Sequence, residues 1–192
     1  MTRLPLALAA RSAARSAVCV TTLLAAFAGT AHAQQPQSPA DAPKLHASDE
    51  AFVADATKGV STQIDAARIA TARSTDRDVK AFAERVASDD AKVSAALRAA
   101  SPRGVDVPKN DPDVAALDSV KNLRGADFDK AYIEQVALGG GQKTLSAFQA
   151  EIASGRNEPL KDAARKALPT IQQHYAMAQE LAKRKHLPEG AQ

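Results

Sequence analysis

Residues 76–100 read DRDVKAFAERVASDDAKVSAALRAA. Val79, Phe82, Val86, Val93 and Leu97 fall on one face of an α-helix, because they recur at three- and four-residue steps with a single wider gap. A half-buried strand would alternate instead, and nothing here does. Ser74 or Thr75 precedes the run as an N-cap. The wide gap holds Asp89 and Asp90, three and four residues after Val86 and four and three before Val93. One of these carboxylates must lean toward the core.

Three more segments repeat the pattern. Over 48–73, Phe52, Ala56, Val60, Gln63, Ala67 and Ala70 form a stripe, with Ser48 as N-cap and Asp49 and Glu50 in the first turn, where the helix dipole favours negative charge. Over 126–154 the stripe is Phe128, Tyr132, Val136, Gly139, Gln142, Leu145, Phe148 and Ile152, stopped by Gly155. Over 158–186 it is Leu160, Ala164, Leu168, Ile171, His174/Tyr175, Ala178 and Leu181. Pro169 is expected to kink or split that helix. Between the second and third segments, Pro102, Gly104 and Pro108 break the chain. Asp111-Pro112 then opens a short helix reaching about Leu123, with Pro in the first position. Four amphipathic helices with one long crossover predict an all-α, four-helix bundle with a short extra helix in that crossover.

Composition agrees. Aromatic residues are 4% of the 192, there is no Trp, and hydrophobic residues are 45%, which suits closely packed helices better than a β-sandwich. The single Cys, Cys19, excludes an internal disulfide and any multi-cysteine metal site.

The N-terminus reads as a secretory signal peptide over 1–33. Arg3, Arg11 and Arg15 precede an apolar run from Ala17 to Ala28, which ends in Ala31-His32-Ala33 before Gln34. A membrane anchor is the competing reading, but the run is shorter than the roughly 20 residues a span requires. Cys19 has no lipobox before it. Cleavage removes three Arg and no acid, leaving 159 residues with 22 basic against 22 acidic side chains. That balance gives no support to nucleic-acid binding, and a Cys-free mature chain suits an oxidising, exported compartment. Residues 34–47, rich in Gln, Pro and Ala, read as a flexible lead-in to a bundle domain over 48–186, and 187–192 as a tail.

Near its middle each stripe turns polar: Gln63, Asp89 or Asp90, Gln142 and His174. Gln63 lies 11 residues before Ser74 and Asp89 15 after it. At 1.5 Å per residue, both sit about 16–23 Å from that turn and can meet across the pair. Two readings stand. One is a ligand or metal site made of Asp89, Asp90 and His174. The other is a hydrogen-bonded structural layer, or stripe-edge residues that reach solvent. One His and one inward carboxylate make a poor first shell, and amides bind transition metals weakly. The di-iron pattern Glu-x-x-His is absent: Glu84, Glu134, Glu151 and Glu180 are followed at the third position by Ala87, Ala137, Ser154 and Lys183. No nucleophile-elbow, P-loop or dinucleotide fingerprint occurs. Of the histidines left after cleavage, His46 and His186 are expected to be solvated, and the Lys183–Lys185 run to be a helix end.

Over Phe52 to Lys183 the chain resembles domain-of-unknown-function family 4142. The stretches that carry the likeness are Val79-Lys80-Ala81-Phe82-Ala83 through Ser88-Asp89-Asp90, Gly125-Ala126-Asp127-Phe128-Asp129-Lys130-Ala131-Tyr132, and Leu168-Pro169-Thr170 with His174. The resemblance implies an exported bacterial protein with a ferritin-like bundle, often labelled outer-membrane or periplasmic, with no established activity. It also implies a lost site. Relatives usually carry Asp-His where this chain has Asp89-Asp90, His where it has Gly140 or Gly141, and Glu where it has Gln63; only His174 keeps the usual type. Gly139, Gly140 and Gly141 cost about 1 kcal/mol each in mid-helix relative to Ala. They are expected to mark a π-bulge or a break, or to admit a neighbouring helix.

The expectation is therefore a non-enzymatic envelope protein, periplasmic or peripherally attached, acting in binding or stress. It would have no resident cofactor, no membrane span after cleavage and an envelope partner of unknown identity. The alternative is a divalent-metal-binding or metal-oxidising protein using Asp89, Asp90 and His174, completed across a homo-oligomer.

Overall fold

The computed structural model describes residues 44–188. The expected signal peptide, most of the lead-in and the last four residues lie outside them. The described residues contain helices and connections and no strand.

Helix α1 (Ala47–Arg73) begins one residue earlier than the pattern predicts. Its cap is His46, whose Nδ1 accepts the Ser48 N–H at 3.3 Å. Ser48 is therefore inside the first turn rather than at the cap. Helix α2 (Arg77–Ala100) is capped by Asp76, not by Ser74 or Thr75. Asp76 Oδ1 accepts the N–H groups of Asp78 and Val79 at 2.9 and 3.1 Å. Ser74 Oγ accepts the Asp76 N–H at 3.0 Å and so shapes the turn leading into the cap. Helix α3 (Val114–Lys121) is capped by Asp113, which leaves Pro112 ahead of the cap instead of at the first helical position.

The third long helix is continuous but not uniform. It comprises α4 (Gly125–Ala131), a π-helical segment (Tyr132–Gly140) and α5 (Gly141–Ser154). The buried positions Val136, Gly141, Leu145 and Phe148 show why the period fails: the first step is five residues, a π turn, and the others are three or four. The extra residue moves the stripe positions Gly139 and Gln142 off the buried face, while Leu145 and Phe148 stay on it. Gln142, expected on the inner stripe, is instead exposed, with its amide 3.4 Å from Ser146 Oγ. Thr144 faces inward in its place, with 4% exposure.

Gly140 and Gly141 have ordinary right-handed helical dihedrals, and a Cβ on Gly141 would meet Tyr175 of α6 at 3.5 Å. A Cβ on Gly140 would meet nothing nearer than 3.8 Å. Gly140→Ala is therefore expected to stabilise the fold by up to about 1 kcal/mol, through helix propensity. Urea denaturation checks this; a loss would mean that the wide turn depends on glycine's freedom.

Helix α6 (Glu158–Arg184) is capped by Asn157 and runs unbroken through Pro169. The predicted split is absent. Pro169 lies on the exposed side, where water can hydrate the Arg165 carbonyl that loses its donor.

Helix α1 packs on α2 and α5, and α6 packs on α5, α2 and the π segment. Helix α3 lies against α1. The apolar core forms two clusters. One gathers around Phe82, Phe128, Tyr132 and Leu181, the other around Phe52, Phe148, Leu160 and Ile171. Phe128 stacks on Tyr132 at 5.7 Å, and Phe52 meets Phe148 edge-on at 5.2 Å. Among the described residues no helix is long and apolar enough to cross a membrane.

Candidate functional site

The polar positions lie where the two clusters meet. A cavity of about 10 Å³, room for one water-sized atom, is bounded by Phe82, Val86 and Ala137 on one side and Ile171 on the other. Gln63, Asp90, Thr144 and His174 complete its wall. The helices present these side chains because each sits on its buried stripe.

Asp90 is 1% exposed and His174 8%. His174 Nδ1 stands 3.3 Å from Asp90 Oδ1, and Nε2 stands 3.6 Å from Asp89 Oδ2. Both contacts fall short of hydrogen-bond geometry, since neither Asp90 Oδ1 nor His174 Nε2 has a hydrogen-bond partner. Burial pushes the Asp90 carboxyl above its ordinary range, and the adjacent His174 opposes that rise. Asp89 goes the other way. Lys92 at 2.9 Å and Arg85 hold it down at about 2. Two adjacent aspartates thus differ in character: Asp89 is anchored to cations at the rim, while Asp90 is buried beside the imidazole.

Gln63 is held just as firmly. Its Nε2 donates to the Val136 carbonyl at 3.1 Å, an oxygen that also accepts the Gly141 N–H across the π turn. Its Oε1 is buried without a partner. Thr144 donates its hydroxyl to the Gly140 carbonyl at 3.0 Å, so it is not poised as a nucleophile toward His174. Tyr132, which sequence reasoning placed only in the apolar stripe, brings a fully buried hydroxyl near Asp90. Burial and the Asp90 charge push that phenol upward.

Of the sequence-derived set, the structure brings Asp89, Asp90, His174 and Gln63 together and leaves Gln142 outside. Thr144 and Tyr132 were missed. The five-residue step at Val136–Gly141 is the signal that could have found Thr144. Beyond Gln63 and Thr144, an open cleft of about 310 Å³ lies between α1, α3 and the π segment. Asp55, Lys58, Asp113 and Lys143 line it.

Residues 34–181 match the family model described as Domain of unknown function (DUF4142). The chain belongs to this family. No curated protein and no solved structure matches it.

As a metal centre, the layer of this DUF4142 protein is short of donors. Asp89 is committed to Arg85 and Lys92, and the nitrogen of Gln63 to Val136. That leaves Asp90, His174 and one amide oxygen, whereas structural zinc takes four ligands and catalytic zinc three plus water. Among the described residues no group of three or more His, Cys, Asp or Glu is placed to hold a metal ion.

Proposed function

We propose that this protein is an exported, ferritin-like four-helix bundle of the bacterial envelope. In this reading it works without a catalytic step, as a binding or stress-related protein whose mid-bundle layer is a degenerate metal site. The observation that carries the reading is how few donors the layer has to spare. Asp89 is committed to Arg85 and Lys92 and the Gln63 nitrogen to the Val136 carbonyl, so Asp90, His174 and one amide oxygen are what remain for a ligand. The closed packing of α1, α2, α5 and α6 supports the bundle. The cleavage pattern over 1–33 supports export. A binding role has a place to act in the open cleft beside Gln63, whose volume of about 310 Å³ is at the lower end for small-molecule sites.

The test is metal content together with thermal shift of the purified protein against Fe, Mn, Zn, Cu and Ca, with His174→Ala in parallel. No stoichiometric metal and an unchanged melting temperature across the panel are expected. Stoichiometric binding that His174→Ala abolishes would overturn the reading and assign the layer as a metal site completed by a second copy. Turnover of iron and peroxide by the pure protein would equally overturn the non-enzymatic part.

A further inference from the structure

The N-terminal turn of α1 is fastened to the turn between α5 and α6 by the carboxylate of Asp49, and a second buried carboxyl, Glu151, lies at the same junction. Asp49 and Glu151 are 1% and 2% exposed. Asp49 Oδ1 accepts the backbone N–H groups of Arg156 and Asn157 at 2.7 and 3.1 Å. Glu151 sits at the end of α5, with its carboxyl folded over Gly155, where no side chain competes for the space. Neither Glu151 oxygen meets a donor. The group in front of it is the Asp49 carboxyl, itself an acceptor. Two buried acceptors face to face are satisfied only when a proton lies between them.

We propose that Asp49 and Glu151 hold one proton between them, and that losing it releases the first turn of α1 from the α5–α6 turn, making this junction a pH-sensitive clasp. The surroundings favour the proton over a cation. From α6, Lys161 is the only base that draws the Glu151 carboxyl down, and it is shared with Glu158 at 3.6 Å. His46, from the segment before α1, acts on Asp49. Lys44 and Arg156 line the cavity of about 250 Å³ beside the junction. Burial, then the Asp49 charge, push Glu151 up to about 7 from its ordinary 4.5. Burial alone would raise Asp49 too, but the two N–H groups, the Glu151 proton and His46 outweigh it and hold Asp49 below its usual range.

The direction in pH follows from the raised carboxyl. The closed clasp binds a proton that the open one does not, between the ordinary value of 4.5 and about 7. Closure is therefore complete below pH 4.5, weakens as pH rises through that window and levels off above it. The chain enters the bundle at this point, so the clasp sets how firmly residues 44–46 are held.

The experiment is backbone amide exchange at Arg156 and Asn157 by NMR from pH 5 to 8, corrected for intrinsic rates, with the ¹³C shift of the Glu151 carboxyl followed in the same samples. Glu151 is expected to titrate near 7, and protection of the two amides to fall about tenfold per pH unit below that point. Glu151→Gln keeps the shape and gives Asp49 a permanent donor, so its protection should stay high and flat with pH. Titration of Glu151 near 4.5, or a pH slope that survives in Glu151→Gln, overturns the proposal. So does a slope that disappears in His46→Asn, which would assign the window to the imidazole. If Glu151→Gln does not fold, the wild-type carboxyl titration decides alone.

Discussion

Replacing His174 by alanine is expected to destabilise the fold by about 3 kcal/mol at pH 8 and by distinctly less at pH 5. The reason lies in Asp90, which is buried with the His174 imidazole 3.3 Å from its Oδ1. Burial already holds the Asp90 carboxyl above its usual range, and His174 is the group that opposes the rise. Without the ring the carboxyl rises further. A carboxyl whose folded value is raised contributes stability at low pH and loses it as pH climbs through that value. The cost of the deletion should therefore grow with pH. Urea denaturation at both pH values measures it. Asp90→Asn in the His174→Ala background should recover much of the loss at pH 8, because it removes the stranded charge. An equal loss at the two pH values would mean that Asp90 is not the group His174 stabilises.

Gly155→Ala is expected to be the other costly change, at about 2–3 kcal/mol. Gly155 ends α5 at φ −60° and ψ 150°, which any residue can adopt, so backbone strain is not the issue. The obstacle is space. A Cβ there would lie 2.6 Å from the Glu151 carbonyl oxygen and would overlap the Glu151 carboxyl. The side chain could swing away only into solvent, abandoning Asp49. The backbone oxygen cannot move without breaking the Gly155 N–H bond to it at 2.8 Å. The melting temperature should fall by about 5–10 °C, given roughly 2–4 °C per kcal/mol for a chain of this size. An unchanged midpoint would mean that the turn can shift as a unit. Glu151→Ala in the same chain should recover only part of the loss, since the carbonyl contact remains.

The stripe arithmetic was sound wherever the helix was regular. Phe52, Ala56, Val60, Gln63, Ala67 and Ala70 are all buried, as are Val79, Phe82, Val86, Asp90, Val93 and Leu97. It failed just after Val136, at Gly139 and Gln142, because a π turn holds more residues than an α turn; Leu145 and Phe148 are buried as the period expects. Gln142 was misplaced for that reason alone. The choice between Asp89 and Asp90 was not legible either. Both satisfy the period to within one residue, and only the neighbours Arg85 and Lys92 draw Asp89 to the rim. The Asp49–Glu151 junction left no trace in the pattern. Asp49 read as an ordinary first-turn acid, and its partner is 102 residues away on another helix.

All-α architecture, the number of long helices and the composition of their buried faces were therefore local matters, settled by the spacing of apolar side chains along the chain, because burying one face of each helix leaves few other arrangements. Capping was nearly local: the right turns were recognisable, but His46 and Asp76 cap where Ser48 and Ser74 or Thr75 were expected. What only the tertiary structure decided is the fate of the polar groups. A carboxylate's charge and partners depend on what faces it from other helices, and burial acts on each group according to its neighbours. That is why His174 stands against Asp90, why Gln63 reaches the Val136 carbonyl, and why Asp49 bonds the turn that ends α5.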